Sequence, residues 1–328
     1  MKNLTDKRIL IRGYGSIARK YIKVLHGLGC TNIDVITSMN HLKNGNYNDS
    51  ILNFKSVQDI QGEYDLLIIA SETISHLSDF ETLNKHAKNI LIEKPLAPDL
   101  ISVAKILPKL KSKSLFVSSP LRFYDNFQNL ELAISSLEQV TEVQITASSW
   151  LPNWRADRSH LIGYWSDPRQ GGVLRDMVHE IDYALYLFGL PTGVLCNLES
   201  GEHTLGIAVD AVADLFWTTK FGVKVSVHLD YISPTSERSL KIIGENRNLT
   251  WNILDGTLVS SDGRKAGSLP VFPIDPLLAL KKQIQSIFSE SSANCPSTLD
   301  EATNVLALID AARLSNDLKR TASINYLT

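Results

Sequence analysis

A histidine with nearby carboxylates lies in the segment 171–183, at His179. If a helix begins after the two glycines of this segment, Asp176 and His179 share one face, because residues three apart are neighbours on a helix. Asp182 or Tyr183 extends that face by a further step, and apolar residues cover another. A carboxylate orients an imidazole and stabilises its charged form, which suits His179 to proton transfer near neutral pH. The alternative is a hydrogen-bonded histidine with a structural role.

A lysine follows the apolar run at 90–93, in the sequence Glu93-Lys94-Pro95. If that run is a strand of a parallel sheet, Lys94 lies at the carboxyl edge, where ligands of open α/β folds bind. An ammonium group there can bind a reacting oxygen and stabilise negative charge that develops on it. The alternative is a surface lysine before a turn proline.

Two glycines mark a sharp turn near the N-terminus, where an apolar run at 9–11 leads into Gly13-x-Gly15-x-x-Ala18 and a helical pattern. Gly13 permits the tight turn, Gly15 lets the backbone approach a pyrophosphate, and Ala18 lets the helix pack closely against the strand. The N–H groups at the start of the helix face the anion. The passage therefore predicts a dinucleotide-binding turn.

The loop after the second predicted strand carries the signal for cofactor choice. The strand at 33–37 is followed by Ser38, and then by Asn40, His41 and Lys43, with no acid at the position that usually holds an adenosine ribose. A carboxylate there would bind the ribose hydroxyls and repel a 2′-phosphate, so its absence favours NADP over NAD. The alternative is a polar loop without selectivity.

Four further side chains are candidates for binding an anionic substrate group: Arg122, Arg155, Arg169 and Tyr164. The guanidinium of arginine presents a fork that binds a carboxylate or phosphate through two hydrogen bonds. Each of these residues is alternatively a solvated or ion-paired surface side chain.

The elements that must position these residues change along the chain. In the first third, β-type and helical stretches alternate, with strand-like runs at 8–11, 33–37, 66–71, 90–93 and 115–118. This alternation is typical of right-handed βαβ units in a parallel sheet. The runs at 66–70 and 90–92 are continuously apolar, as expected when helices cover both faces. Residues 1–120 are therefore predicted to form an α/β domain, a doubly wound Rossmann sheet that binds NAD(P).

After about Pro120 the pattern differs. Residues 223–231 alternate between apolar and polar, which indicates an antiparallel strand with one buried and one open face. Its expected partner is 212–218, and further strands are predicted at 142–149, 240–243 and 249–253. Two helices, at about 277–289 and 299–319, close the chain, and Ser297 and Thr298 offer an N-cap to the second. Residues 121–328 are predicted to form an α+β domain with a mainly antiparallel open sheet, whose polar face is either solvated or paired with another subunit.

The amino-acid composition disfavours several classes of function. The 328 residues include 33 Lys and Arg against 35 Asp and Glu, so no broad field favours nucleic acid or an anionic membrane. The three cysteines, Cys30, Cys196 and Cys295, are far apart, which fits a reducing compartment and argues against a zinc site. The sequence shows neither an apolar N-terminal signal nor a run of ~18 apolar residues. We expect a cytoplasmic protein that uses no metal and binds neither nucleic acid nor membrane.

Motifs in a fixed order resemble the glucose-fructose oxidoreductase / inositol dehydrogenase / rhizopine catabolism (Gfo/Idh/MocA) family over nearly the whole chain. They are Gly13-Tyr14-Gly15-Ser16-Ile17-Ala18, Ala70-Ser71-Glu72-Thr73-Ile74-Ser75-His76, Glu93-Lys94-Pro95, Leu121-Arg122-Phe123 and His179-Glu180-Ile181-Asp182. The stretches 151–155, 164–165 and 171–176 resemble the branch often associated with sugars of bacterial surface polysaccharides.

The resemblance implies a Rossmann domain followed by a domain whose open sheet forms dimers or tetramers, and a nicotinamide that oxidises or reduces a carbon of a sugar or polyol. It implies that Lys94 holds the reacting oxygen and that His179 donates or accepts the proton, with Asp176 as a further catalytic residue. The implied cofactor-binding residues are Gly13, Gly15, Ser16, Ile17, Ser38, Ser71, His76, Glu93 and Lys94. The implied substrate-binding residues are Arg122, Arg155, Tyr164, Asp176 and His179.

Three positions depart from the family pattern. Glu72 stands where proline is common, Ala18 stands where a third glycine is common, and Asp176 precedes His179 by three residues rather than four. The third departure leaves open whether Asp176 orients the histidine or binds substrate.

The expected function is NAD(P)-dependent hydride transfer to or from a carbon of a sugar, with surface-glycan biosynthesis as its narrower form. One alternative is a regulatory protein that senses a nucleotide without turnover, which the presence of both Lys94 and His179 disfavours. The other is a reductase of an imine or a non-sugar carbonyl.

Overall fold

The computed structural model describes residues 4–37, 52–154, 159–262, 266–268, 274–289 and 295–327. The chain divides into two compact units. The first comprises Met1–Phe123 and Pro276–Ala302, and the second comprises Tyr124–Asp275 and Thr303–Thr328. Each unit is therefore formed by two segments of the chain, and the segments of the two units alternate along the sequence.

Helices and strands are numbered in chain order over the described residues. The α-helices are α1 (Ser16–Gly27), α2 (His76–Leu83), α3 (Leu100–Lys111), α4 (Asp125–Ser135), α5 (Val173–Asp176), α6 (Val178–Phe188), α7 (Glu202–Leu205), α8 (Pro276–Ile287) and α9 (Leu299–Leu318). None of these helices has both the length and the apolar character needed to span a membrane.

The strands are β1 (Arg8–Arg12), β2 (Asn32–Ile36), β3 (Leu52–Lys55), β4 (Tyr64–Ile69), β5 (Ala87–Ile92), β6 (Ser114–Val117), β7 (Val140–Trp150), β8 (Gly193–Ser200), β9 (Asp210–Thr218), β10 (Lys224–Asp230), β11 (Ile232–Gly244), β12 (Asn248–Asn252), β13 (Thr257–Ser261), β14 (Ala266–Ser268), β15 (Ser297–Thr298) and β16 (Ala322–Ser323).

The sheet of the first unit has the order β3-β2-β1-β4-β5-β6, and β15 is added beside β6. Strands β1 to β6 pair in parallel, whereas β15 runs antiparallel to β6. The order reverses between β1 and β4, and open α/β sheets bind ligands at such a point, outside the carboxyl ends of the strands. The predicted doubly wound sheet is confirmed, with two strands, β3 and β15, that the sequence pattern did not indicate.

The core of the first unit lies between this sheet and its helices. Strands β4 and β5 are fully buried at residues 66–69 and 90–92, as predicted for strands that are covered on both faces. Helix α1 buries Ile22 and Leu25 in a cluster that also contains Leu280 and Ile284 of α8. The late helix α8 is therefore part of the core on which α1 packs.

The sheet of the second unit has the order β14-β13-β12-β11-β7-β10-β9-β8-β16. Its neighbouring strands are antiparallel except for β7 and β10, which are parallel. The predicted pairing of 212–218 with 223–231 is confirmed, with Asp214 opposite His228. Along β10, buried apolar residues alternate with more exposed polar ones until the strand ends at the buried Asp230. The mainly antiparallel open sheet is thus as predicted.

Helix α9 begins at the predicted N-cap. The Thr298 hydroxyl accepts a hydrogen bond from the backbone N–H of Glu301 at 3.2 Å, and the Glu301 carboxylate accepts one from the backbone N–H of Thr298 at 2.8 Å. This reciprocal arrangement is a capping box, which satisfies backbone donors that the helix itself leaves without partners.

The single helix predicted after Gly172 is instead two helices, α5 and α6. Met177, between them, has φ −95° and ψ 32°, which is not helical. The Asp210 carboxylate accepts from the backbone N–H of Leu174 at 3.0 Å, which caps the start of α5, and the Tyr231 hydroxyl donates to Asp176, the last residue of α5, at 2.5 Å. Because the helix is interrupted at Met177, the prediction of one continuous helix was wrong.

Candidate functional site

The glycine turn after β1 brings three strand ends together. Gly13 has φ +106°, and a Cβ at this position would lie 2.4 Å from the carbonyl oxygen of Ala70, after β4. The backbone N–H of Gly13 donates to the carbonyl of Ile36, at the end of β2, over 2.8 Å. Only glycine combines this backbone conformation with such a close approach.

Gly15 has a different environment. A Cβ there would meet no atom of the described residues within 4 Å. Gly15 directly precedes Ser16 and Ile17, which open α1, and no acidic residue lies in the first turn of that helix. The N-terminal amides and the helix dipole favour an anion at this position. The residues present therefore fit the pyrophosphate of a dinucleotide.

The loop after β4 is held by a partly buried polar cluster. The Asp79 carboxylate accepts from the Ser71 hydroxyl and from Nε of Arg12, each over 2.7 Å. The ring of His76 is 1% exposed, and its nitrogens lie 3.0 Å from the carbonyl oxygen of Pro95 and 3.1 Å from that of Ser71. Burial outweighs these two contacts and lowers the pKa of His76 below its ordinary value. Arg12 and Asp79 are neighbours of the site that the sequence analysis missed.

Lys94 is the second residue after β5, at the carboxyl edge of the sheet, and its side chain is partly exposed. The preceding Glu93 is 8% exposed, and its carboxylate accepts from the Tyr21 hydroxyl at 2.5 Å and from the backbone N–H of Lys94 at 3.3 Å. The backbone N–H of Glu93 donates to the carbonyl of Ile69 at 2.8 Å. The turn that carries Lys94 is thereby tied to β4 and to α1.

In the second unit, Asp176 ends α5 and His179 lies in the first turn of α6. Asp176 is 9% exposed and accepts the Tyr231 hydroxyl, whereas His179 is partly exposed. Burial and the charge of Asp176 raise the pKa of Tyr231 well above its ordinary value, so this hydroxyl keeps its proton and donates it. Tyr231 was missed by the sequence analysis, although it ends the alternating run that predicted β10.

The two glycines before α5 allow close packing. A Cβ on Gly171 would lie 2.2 Å from the carbonyl oxygen of Trp165, and one on Gly172 would lie 2.4 Å from Oδ1 of Asp210. Gly172 also has φ +96°. Both glycines therefore allow α5 to pack closely against its neighbours, which places Asp176 at the end of this helix.

A partly buried ion pair supports the start of α6. Glu180, next to His179, is fully buried and accepts from Nε of Arg238 at 2.6 Å. Arg238 lies on β11, 58 residues along the chain, and no local pattern marks it as a partner.

The candidate anion-binding residues are described in part. Arg122 is 7% exposed and donates from Nη1 to the Glu301 carboxylate at 3.0 Å. The exposed Arg169 pairs with Asp167 at 2.7 Å, and its hydrogen bonds hold the pKa of that carboxyl well below its usual range. The ring of Tyr164 stacks edge-on against the neighbouring Trp165, with centroids 5.2 Å apart. Substrate binding by Arg122 and Tyr164 stays a prediction.

The predicted residues fall into one group in each unit. The first unit holds Gly13, Gly15, Ser16, Ile17, Ser71, His76, Glu93 and Lys94 in the turns that follow β1, β4 and β5 and at the starts of α1 and α2. The second unit holds Asp176 and His179 at the junction of α5 and α6. Ser38, Asn40, His41, Lys43 and Arg155 lie outside the described residues.

The model of an oxidoreductase family with an NAD-binding Rossmann fold matches residues 7–119, and that of the GFO/IDH/MocA C-terminal domain matches residues 135–250. The scyllo-inositol 2-dehydrogenase (NADP(+)) IolW of Bacillus subtilis is 21% identical over 298 residues, which cover 80% of this chain and 79% of IolW.

The uncharacterized oxidoreductase YhhX of Escherichia coli is 28% identical over 190 residues, 56% of this chain, and the match spans 51% of YhhX, about half of its length. Among solved structures, the WlbA dehydrogenase from Bordetella pertussis in complex with NADH and UDP-GlcNAcA has a TM-score of 0.78 at 15% identity, over 98% of this chain and 99% of WlbA. With both family models matched in order along one chain, the protein belongs to the GFO/IDH/MocA family of oxidoreductases.

Proposed function

We propose that the chain is an NAD(P)-dependent oxidoreductase that moves a hydride to or from a carbon of a sugar or sugar derivative. The turn at Gly13 and Gly15 carries the proposal, because it pairs a glycine-only approach to Ala70 with open space before α1, as a dinucleotide requires. IolW is by its name an NADP-dependent scyllo-inositol dehydrogenase, and the WlbA structure contains NADH and a nucleotide sugar. Both support a polyhydroxylated substrate.

In the proposed reaction the cofactor transfers the electrons, and side chains of the protein transfer the proton. When bound, the nicotinamide supplies the electron chemistry as hydride acceptor or donor. In the oxidative direction the substrate C–H bond breaks with its electron pair, the hydroxyl proton passes to His179, and a carbonyl is left. The Lys94 ammonium holds the reacting oxygen and stabilises negative charge on it. Asp176, fixed by Tyr231, either orients His179 or binds a substrate hydroxyl.

The proposed binding residues extend these two groups. Ser16, Ile17, Ser38, Ser71, His76 and Glu93 are proposed for the cofactor side, and Arg122, Arg155 and Tyr164 for the substrate side.

The proposed cofactor is NADP in preference to NAD. In the described part of the chain β2 ends at Ile36, and its one carboxylate, Asp34, is buried and accepts from Lys55 at 2.7 Å. Arg8 also donates to Asp34, so this carboxylate is committed within the fold. Titration should give a Kd for NADPH at least about tenfold below that for NADH, because a 2′-phosphate meets no repelling acid. Equal affinities would overturn the preference.

A narrower proposal adds a substrate of surface-glycan biosynthesis, a cytoplasmic location and a homodimer or homotetramer formed through the open sheet of the second unit. Leu195 and Phe216 are paired across β8 and β9 and are 43% and 49% exposed, which supports association of this face. Light scattering tests the oligomer, and a monomer at all concentrations would exclude it.

Substitution of Lys94 tests the proposed reaction. Free, acidic and nucleotide-activated sugars are screened for formation or consumption of NADPH by the wild type, and then by Lys94→Ala and His179→Ala. Each variant should lose at least about 100-fold in kcat, since it lacks the group that stabilises charge or moves the proton. Cofactor Kd should change by less than about twofold in both.

Lys105→Ala is the matched control, because Lys105 is an exposed lysine on α3 of the same unit. It should leave kcat unchanged. Near-normal turnover by Lys94→Ala would overturn the assignment. Tight NADPH binding without turnover of any sugar, imine or carbonyl compound would instead favour the nucleotide-sensing alternative.

A further inference from the structure

A chain of buried hydrogen bonds in the first unit runs from helix α8 to the turn that carries Lys94. We propose that Tyr21 and Gln283 are positioning residues for Lys94 and act through Glu93. The inference rests on the proposed function for its kinetic consequence, whereas its structural consequence can be measured without substrate.

The orientation of Gln283 is fixed by the backbone. Gln283 is fully buried on α8, and its Oε1 accepts from the backbone N–H of Ser119 at 2.8 Å. Because that N–H can only donate, Nε2 must point the other way, toward the Tyr21 hydroxyl at 3.3 Å and the Ser118 hydroxyl at 3.2 Å. The amide therefore presents its donors to Tyr21 and Ser118.

The direction of the next bonds follows from Tyr21. This side chain is fully buried on α1, with its hydroxyl 2.5 Å from Oε1 of Glu93 and 3.0 Å from Oγ of Ser118. Burial and the charge of Glu93 raise the pKa of Tyr21 well above its ordinary value, so the hydroxyl keeps its one proton. It donates this proton to Glu93, and Gln283 and Ser118 donate to the tyrosine oxygen. Gln283 and Ser118 thus hold the tyrosine oxygen, and Tyr21 in turn holds the Glu93 carboxylate.

Glu93 connects these hydrogen bonds to Lys94. Its second carboxylate oxygen accepts from the backbone N–H of Lys94 at 3.3 Å, and its own N–H donates to the carbonyl of Ile69. With its carboxylate 8% exposed and bonded to two donors, Glu93 holds the peptide that leads into Lys94. On the other side of Lys94, the carbonyl of Pro95 lies 3.0 Å from His76.

One hydroxyl therefore couples two parts of the unit. Tyr21 lies in the second turn of α1, whose first turn follows Gly15, and it reaches the end of β5. Its bond to Glu93 sets the position of Lys94 relative to the start of α1. Gln283 secures this bond from α8, a segment 262 residues further along the chain.

The variant Tyr21→Phe tests the proposal, since it removes the hydroxyl and keeps the buried ring. Tyr64→Phe is the matched control. Tyr64 is also fully buried in the first unit, and its hydroxyl donates to a carboxylate, that of Asp34 on β2. Both variants lose one buried bond to a charged acceptor, so the two losses of stability should be similar.

Two measurements separate positioning from a general loss of stability. In Tyr21→Phe, hydrogen–deuterium exchange at the Lys94 amide should become about tenfold faster, and kcat should fall at least about tenfold while cofactor Kd and substrate KM stay within about twofold. In Tyr64→Phe, exchange at Lys94 and kcat should be unchanged. The proposal is overturned if Tyr21→Phe leaves the Lys94 amide protected, or if Tyr64→Phe exposes it equally.

Gln283→Met provides a second route if Tyr21→Phe does not fold. It removes both amide donors at nearly constant volume, and it should also accelerate exchange at Lys94. If Tyr21→Phe does not fold, unchanged exchange at Lys94 in Gln283→Met overturns the proposal. If it does fold, the double variant Tyr21→Phe/Gln283→Met should exchange little faster than Tyr21→Phe alone, because residues that act through one path are not additive. Additive effects would overturn the shared path. If no sugar is turned over, only the proposed function is refuted. The exchange measurement still tests whether Tyr21 and Gln283 position Lys94.

Discussion

Gly13 and Gly15, just before α1, are glycines for different reasons. Gly13 serves the fold, because its φ of +106° and its approach to the Ala70 carbonyl exclude a side chain. Gly15 has φ −72°, which any residue adopts, and no described atom lies where its Cβ would be. The fold alone gives no reason for glycine at the second position, and a bound dinucleotide does.

This difference predicts opposite behaviour of two alanine variants. Gly13→Ala should lower the free energy of unfolding by about 2–3 kcal/mol, through backbone strain and the clash with Ala70. Gly15→Ala should change it by less than about 1 kcal/mol, yet it should weaken NADPH binding at least about tenfold, because a methyl group enters the pyrophosphate space. Urea unfolding and calorimetric titration measure the two quantities. Unaltered NADPH binding by Gly15→Ala would show that the pyrophosphate lies elsewhere.

The candidate residues that the sequence predicted all have local signals. Gly13 and Lys94 each follow an apolar strand, and strand ends at one edge of a parallel sheet collect ligand-binding groups. Tyr231 and Arg238 had no such signal, since their partners lie 55 and 58 residues away. Contacts of this kind depend on sheet register, which a local pattern does not reveal.

At the scale of elements, the junction of α5 and α6 shows the limit of periodicity. Apolar residues recur at helical spacing across 173–185, so the pattern predicted one helix. The backbone of Met177 nevertheless leaves the helical conformation, and the residues on either side have long-range partners, since Asp210 binds Leu174 and Tyr231 binds Asp176. Consequently, the three-residue spacing of Asp176 and His179 is not the spacing of two residues within one helix.

The strand pair β9 and β10 gives a prediction for pH. His228 lies between two carboxylates, with Nδ1 2.7 Å from Asp214 and Nε2 3.1 Å from Asp230. Burial alone would lower the pKa of His228, but the hydrogen bonds and charges of the two aspartates raise it above its ordinary value. The folded state therefore binds this proton more tightly than the unfolded state does.

The stabilisation by His228 should be complete below the ordinary histidine pKa of about 6.5 and should be lost as pH rises through the higher folded value. Because the ring is half-exposed, His228→Gln should lower the free energy of unfolding by at most about 1 kcal/mol at pH 5.5, and by less at pH 8.5. Urea unfolding across this range checks the trend, and added salt should reduce it. A difference that is constant with pH would refute the ionic origin.

At the scale of the whole molecule, alternation of strands and helices predicted the Rossmann sheet and the antiparallel second sheet. Periodicity shows that α8 has an apolar face but not which sheet that face covers. Its membership in the first unit depends on contacts such as that between Gln283 and Tyr21, 262 residues apart. This part of the organisation is a tertiary property that no local pattern contains.

The contribution of α8 can be tested with fragments. Leu280, Ile284 and Ile287 are at most 9% exposed and belong to the core cluster around α1. Each buried side chain of this kind contributes about 1.5–3 kcal/mol, so their combined loss is comparable to the 5–15 kcal/mol that typically stabilises a domain of about this size. A fragment of residues 1–123 should therefore unfold without a cooperative transition and should bind NADPH poorly.

Joining residues 276–302 to that fragment through a flexible glycine-serine linker should restore a cooperative urea transition and NADPH binding, because it returns the apolar face of α8 and the amide of Gln283 to the core. The same linked fragment with Ile284→Asp is the control, since a charge at a fully buried position prevents docking of the helix. If residues 1–123 alone unfold cooperatively and bind NADPH as tightly as the linked fragment, α8 is dispensable to the nucleotide-binding unit.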